Sequence, residues 1–108
     1  MSPAKVERRA RSDIQQLTDL PNIGSAGAED LRLLGISEPS QLINRDPFEM
    51  HRQLCEITGV RHDPCVIDVF ISITRFMNGE APREWWAYTD ERKQSLAKIV
   101  VQKAHVGT

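Results

Sequence analysis

One five-residue pattern occurs twice in this chain, and its recurrence constrains the fold more than any other feature. Leu20-Pro21-Asn22-Ile23-Gly24 and Ile57-Thr58-Gly59-Val60-Arg61 share the order aliphatic, any residue, left-handed-tolerant residue, aliphatic, turn, and Asn22 and Gly59 are 37 positions apart. Gly enters the left-handed region freely, and Asn is among the few other residues that tolerate it. The segments flanking both copies carry apolar residues at helical spacing, so the chain is read as two related pairs of helices, each reversed by a short turn.

Around the first copy, Ser12-Asp13-Ile14-Gln15 has the form of a capping box opening a short amphipathic helix with Ile14 and Leu17, which must end before Pro21. Ser25 is an N-cap residue type for a helix from Ala26 to Leu34, with Ala28, Leu31 and Leu34 on one face and Gly35 as its stop. The first amides of a helix have no partner inside it and carry the positive end of its dipole, so they attract anions. Gly24 leaves no Cβ in the way of an approaching phosphate, and Gly27 and Ala28 keep the helix surface low. The turn Asn22, Ile23, Gly24, Ser25, Ala26 is therefore a candidate seat for a nucleic-acid phosphate. The same residues also read as a plain interhelical turn that packs Ile23 inward.

Downstream, Ser37-Glu38-Pro39 opens a brief connector helix through Leu42 and Ile43. Asp46 caps, Pro47 fits the first helical position and Glu49 completes a box, giving a helix from Pro47 to Thr58 that buries Phe48, Leu54, Cys55 and Ile57. Asp63-Pro64 starts a segment to Asn78 that is too long for an ordinary strand. It places Val66, Val69, Phe70, Ile73 and Met77 on one face and Ile67 and Ile71 on another, so it is the expected central helix. A loop follows from Gly79 to Tyr88. Thr89 then caps a last helix to about Lys103, with Leu96, Ile99 and Val100 inward and Arg92, Lys93 and Lys98 solvated.

In the second copy Arg61 and His62 replace a glycine and its neighbour, offering side-chain donors to a phosphate beside Gly59, which also reads as a simple helix C-cap. The layout predicts an all-α fold. Its core is a tandem helix-hairpin-helix of five helices over residues 12–79, in which two pseudo-twofold-related hairpins reach the two backbones across a minor groove. An aromatic loop and an additional C-terminal helix pack on it over residues 80–108, and a basic, flexible arm precedes it over residues 1–11.

Charge works against a broad nucleic-acid surface: 14 Lys and Arg face 15 Asp and Glu, for a net charge of −1. Lys5, Arg8, Arg9 and Arg11 crowd the first eleven positions, whereas Glu29, Asp30, Glu38, Asp46 and Glu49 surround the first hairpin against Arg32 and Arg45. Any DNA contact is expected to be narrow and weak. No apolar run approaches a membrane span and the N-terminus lacks a signal peptide's apolar stretch, so a cytoplasmic protein is expected. Two cysteines then imply free thiols. His51, Cys55, His62 and Cys65 could hold zinc, with His51 and Cys55 on one helical face, but their spacing is not that of a finger and both cysteines sit among apolar positions. No cofactor is expected. Asp63 is explained by capping, and Asp68 and Arg75 by a polar stripe, so no catalytic constellation remains and the chain is expected not to be an enzyme. Trp85, Trp86 and Tyr88 suit base stacking, a partner surface or the closing of a small core.

The residues above resemble the small bacterial pathogenicity-locus family of helix-hairpin-helix proteins, some of whose members are labelled mitomycin resistance protein. The resemblance spans about Leu17 to Tyr88. It rests on Leu20-Pro21-Asn22-Ile23-Gly24, the run from Ala28 to Ile36, Arg45-Asp46-Pro47, Leu54-Cys55, Gly59, Asp63-Pro64-Cys65, Asp68-Val69-Phe70 and Trp85-Trp86-Ala87-Tyr88. It implies an all-helical DNA-associated module, distantly like the C-terminal domain of competence regulators, with a link to DNA damage or repair. The expected partner is duplex or branched DNA, held weakly by its backbone. The rival expectation is a protein-protein interaction module using the same hairpins.

Overall fold

A computed structural model describes residues 14–106, with side chains through residue 98. The basic arm, Ser12 and Asp13 of the expected capping box, and the side chains of Ile99 and Val100 lie outside the described residues. The described chain is all-helical, with no strand. Four α-helices run Ser25–Leu33 (α1), Pro47–Thr58 (α2), Cys65–Met77 (α3) and Thr89–Val106 (α4), and single 3-10 turns occupy Leu17–Asp19, Pro39–Leu42 and Trp85–Tyr88. The expected core of five helices is therefore corrected. Its first and connector members are one-turn 3-10 segments, and the Gly79-to-Tyr88 loop contains a third such turn.

The first helix shrinks for a local reason. The Asp19 carboxylate accepts the backbone N–H groups of Gln15 and Gln16, at 3.1 and 3.0 Å, and so closes the chain into a single turn. α1 begins one residue earlier than expected, with Gly24 rather than Ser25 as N-cap. Its C-terminus is as expected. Gly35, at φ +84°, lets its own N–H bond to Arg32 O and that of Ile36 to Leu31 O, and Ile36 then buries completely beside Leu31. α2 has the expected bounds because Asp46 Oδ1 accepts the amides of Phe48 and Glu49 at one end and Gly59, at φ +71°, stops the other. Met50 and Leu54 form its buried face, Phe48 and Cys55 are only half-buried, and Ile57 is exposed where the helix runs out into the second turn.

α3 is the central helix, buried on most of its circumference through Ile67, Phe70, Ile71, Ile73 and Phe76. The main core gathers Leu17, Leu20, Ile23, Ala28, Leu31, Ile36, Leu42, Met50 and Leu54 against Phe70, Ile73 and Phe76. A second cluster on the other side joins Ile67 and Ile71 to Tyr88, with Phe48 and Leu96 packed on it. A charged seam fixes α4 to α3. Asp68, fully buried, accepts from Arg92 Nε at 2.9 Å and from Thr89 Oγ1 at 2.8 Å. Arg92 is thus buried rather than solvated, and the Thr89 hydroxyl bonds across to α3 instead of capping its own helix. The Asp68–Arg75 stripe is polar because it faces α4: Asp68 pairs with Arg92 and Arg75, about two turns further along α3, pairs with Glu91.

Candidate nucleic-acid interface

The first turn takes its shape from Asn22, not from Gly24. Asn22 sits at φ +67°, while Gly24 is extended at φ −103°, ψ −164°. The Asn22 side chain points into the molecule, where Nδ2 donates to Ser72 Oγ at 3.0 Å and to Arg83 O at 2.9 Å. One residue thus provides the left-handed backbone and ties the turn to α3 and to the segment before the Trp85–Tyr88 turn. Ile23 packs inward at 8 % exposure, as the plain-turn reading expected. Gly27 serves that packing. A Cβ there would meet Ile23 Cδ1 at 3.2 Å, so the missing side chain seats Ile23 on α1, rather than merely lowering the outer surface of the helix.

Gly24, Ser25 and Ala26 are exposed. Among the described residues a Cβ on Gly24 would meet nothing within 4 Å, and no left-handed φ requires glycine there, so Gly24 is explained inside the molecule by its N-cap position and not by packing. Among the described residues no acceptor receives the N–H groups of Gly24, Ser25 or Ala26; the first bond of the helix is Ala28 N–H to Gly24 O, at 2.9 Å. The other three helices carry carboxylates at this end. Asp46 and Glu49 stand at the start of α2, Asp63 and Asp68 at that of α3, and Asp90 and Glu91 at that of α4, whereas the first turn of α1 has none. Among the described residues, α1 is the helix whose first turn holds no carboxylate to face the positive end of its dipole.

The second turn matches the first in backbone and differs in chemistry. Gly59 is left-handed at φ +71°, corresponding to Asn22 at φ +67°. Yet α3 begins only at Cys65, and the Asp63 carboxylate already accepts the Cys65 amide at 2.8 Å. That hydrogen bond holds Asp63 below the usual carboxylate range. The backbone-amide seat is therefore occupied by an internal anion, and Arg61, exposed and without an ion pair among the described residues, is the donor left to this turn. His62 turns inward: Nε2 bonds Thr58 Oγ1 at 2.9 Å, its amide reaches Cys55 Sγ at 3.4 Å, and its carbonyl accepts from His51 Nε2 at 3.0 Å.

This network also bears on the zinc alternative. His51 Nε2 lies 3.9 Å from Cys55 Sγ, so those two residues do meet, but both imidazoles are engaged elsewhere. Among the described residues no group of three or more His, Cys, Asp or Glu is placed to hold a metal ion. The Asp63 carboxylate beside Cys65, together with burial, pushes that thiol up and keeps it protonated.

The sequence did not reveal Arg83 and Ser72 as partners of the turn. They lie 61 and 50 residues from Asn22, and only the left-handed tolerance of Asn was a signal. Arg83 lies over the Tyr88 ring, 5.1 Å from its centroid, with Arg75 at 5.6 Å and the Tyr88 hydroxyl donating to Glu80 at 2.9 Å.

The family model described as pathogenicity locus matches residues 10–94. The chain belongs to the pathogenicity-locus family. Within reach of this family is a protein named mitomycin resistance protein McrB from Streptomyces lavendulae, 41 % identical over 86 residues that cover 80 % of this chain and 82 % of the relative. No solved structure matches the chain. The matched region of the pathogenicity-locus family contains both turns, the Asp68–Arg92 pair and the aromatic segment. Among the described residues no helix is long and apolar enough to cross a membrane.

Proposed function

We propose that this chain is a non-catalytic, sequence-independent DNA-binding protein of the tandem helix-hairpin-helix type, linked to the response to DNA damage. The observation that carries the reading is the bare N-terminus of α1. Three exposed amides, a first turn without a carboxylate and a glycine N-cap with open space around it coincide at Gly24, Ser25 and Ala26. Arg61 on the equivalent second turn supplies a side-chain contact to the other strand. The name of the Streptomyces lavendulae relative supports the damage link.

The test is a titration against duplex DNA at low salt. The Cβ that Gly24→Val adds meets nothing within 4 Å among the described residues, so a loss of binding with the fold intact reads the ligand side. Weakened binding by Gly24→Val and by Arg61→Glu is the expected result. Unchanged binding by both variants, or no binding by the parent, overturns the proposal.

A second reading, a protein-interaction module, is favoured by the apolar chemistry of the second turn. Ile57 and Val60 are 53 % and 57 % exposed, whereas their counterparts Leu20 and Ile23 are buried. Beside them lies a groove of about 890 Å³ lined by Phe48, Cys55, Val60, Ile67 and Leu96. Concentration-dependent self-association lost in Val60→Asp, with no DNA shift, is the outcome that selects this reading.

A further inference from the structure

We propose that Trp86 is a stacking platform for an unpaired DNA base, which gives the protein a preference for DNA with single-stranded segments; the proposal rests on the DNA-binding reading above. Trp86 is 58 % exposed, although its neighbour Tyr88, two residues on, is buried. Its orientation is fixed. Trp85 meets it edge-on at 5.6 Å and 83°, and the Trp86 carbonyl accepts the Thr89 amide. The Ala87 amide bonds Glu84 O at 3.0 Å, and Tyr88, buried and bonded to Glu80, anchors the turn. An exposed indole on so constrained a turn loses little freedom when a flat partner stacks on it.

Its position relative to the first turn comes from the Asn22 side chain. The 2.9 Å bond from Asn22 Nδ2 to Arg83 O fixes residue 83 beside the turn that bears the exposed amides. The three residues from Arg83 to Trp86 span at most about 11 Å even when extended. The Arg83 side chain is 52 % exposed and pairs with Glu80 at 3.6 Å. A strand whose phosphate rests on the Gly24–Ala26 amides therefore has the open aromatic face within reach of a few nucleotides.

The surroundings favour a base over a protein. A protein hot spot needs a rim of contacts that excludes water. Here the neighbouring turn residues are Arg83, Glu84 and Ala87, and the other exposed large apolar side chains, Leu33, Ile43, Ile57 and Val60, belong to other elements. A lone ring suffices for a base, since every base presents a π face.

The full chain is titrated with a blunt duplex and with the same duplex carrying a single-stranded overhang, following tryptophan fluorescence. The overhang is expected to bind on the order of tenfold more tightly, with quenching. Trp86→Ala should abolish that preference while leaving blunt-duplex affinity and the melting temperature unchanged, and Trp86→Phe should keep part of it. Binding of both DNAs without preference, or a preference that survives Trp86→Ala, overturns the stacking site and leaves the DNA reading standing. No binding of either DNA overturns both. A change of sedimentation in Trp86→Ala with the preference intact assigns the surface to a second copy and overturns the proposal.

Discussion

Asn22 combines two roles that substitution can separate. Asn22→Gly keeps the left-handed backbone and removes both side-chain bonds, so a loss of about 1–2 kcal/mol is expected in urea unfolding. Asn22→Ala should cost about 1 kcal/mol more, because alanine must also be forced to φ +67°. If both variants unfold at the parent midpoint, the side-chain tie contributes nothing. Tyr88 provides a second measurement at this scale. Burial, then its hydrogen bond to Glu80, push its phenol from the ordinary 10.0 up to about 12. The folded state therefore holds the proton more tightly than the unfolded one. Its contribution to stability is complete below pH of about 10 and is lost as the pH rises towards 12. Tyr88 is the chain's one tyrosine, so phenolate absorbance reports it directly, and a midpoint near 10 in the folded protein would contradict the buried hydroxyl. The left-handed positions were legible from residue type, since Asn22 and Gly59 fall where the repeat put them. The direction of the Asn22 side chain was not, because its partners come from residues 72 and 83.

At the level of elements, the Asp46 cap and the left-handed glycines located the helix ends they serve. Asp46 and Gly59 bound α2 as read, and Gly35 stops α1 as read. The sequence failed where a residue's partner lies across the fold. Asp68 looked like one member of a polar stripe and Arg92 like a solvated charge, yet a carboxylate inside an otherwise apolar helix already signalled a buried partner. That pair gives the element-scale prediction. Asp68→Ala leaves Arg92 buried without its anion and the Thr89 hydroxyl without its acceptor, at a cost of about 3–5 kcal/mol. Combining it with Arg92→Met removes the stranded charge and should recover most of the loss. A double variant as unstable as Asp68→Ala would show that the seam acts through packing and not through its charges.

For the molecule as a whole, charge limits how DNA can be held. Arg52 is engaged by Glu49 and Glu56, Arg75 by Glu80 and Glu91, Arg83 by Glu80 and Arg92 by Asp68, so much of the positive charge in the described fold is neutralised internally. The two turns then offer about one phosphate contact each. Arg61 carries the full charge that displaces counterions while the α1 amides are neutral donors, so affinity should fall roughly as the first power of salt concentration, or about fourfold for a fourfold rise in salt. This is a shallow dependence for a DNA-binding protein. It separates the two turns from the other concentration of positive charge, Lys5, Arg8, Arg9 and Arg11. If log affinity against log salt has a slope near −1, and removing residues 1–11 leaves it unchanged, the turns carry the electrostatics. A steeper slope that collapses on that truncation would assign the contacts to the N-terminal residues and leave the turns a structural role. Arg61→Ala under the same conditions should bring the slope close to zero, since it removes the one charged phosphate contact of the two turns. That change in slope distinguishes a lost contact from a general loss of fold, which would abolish binding at every salt concentration.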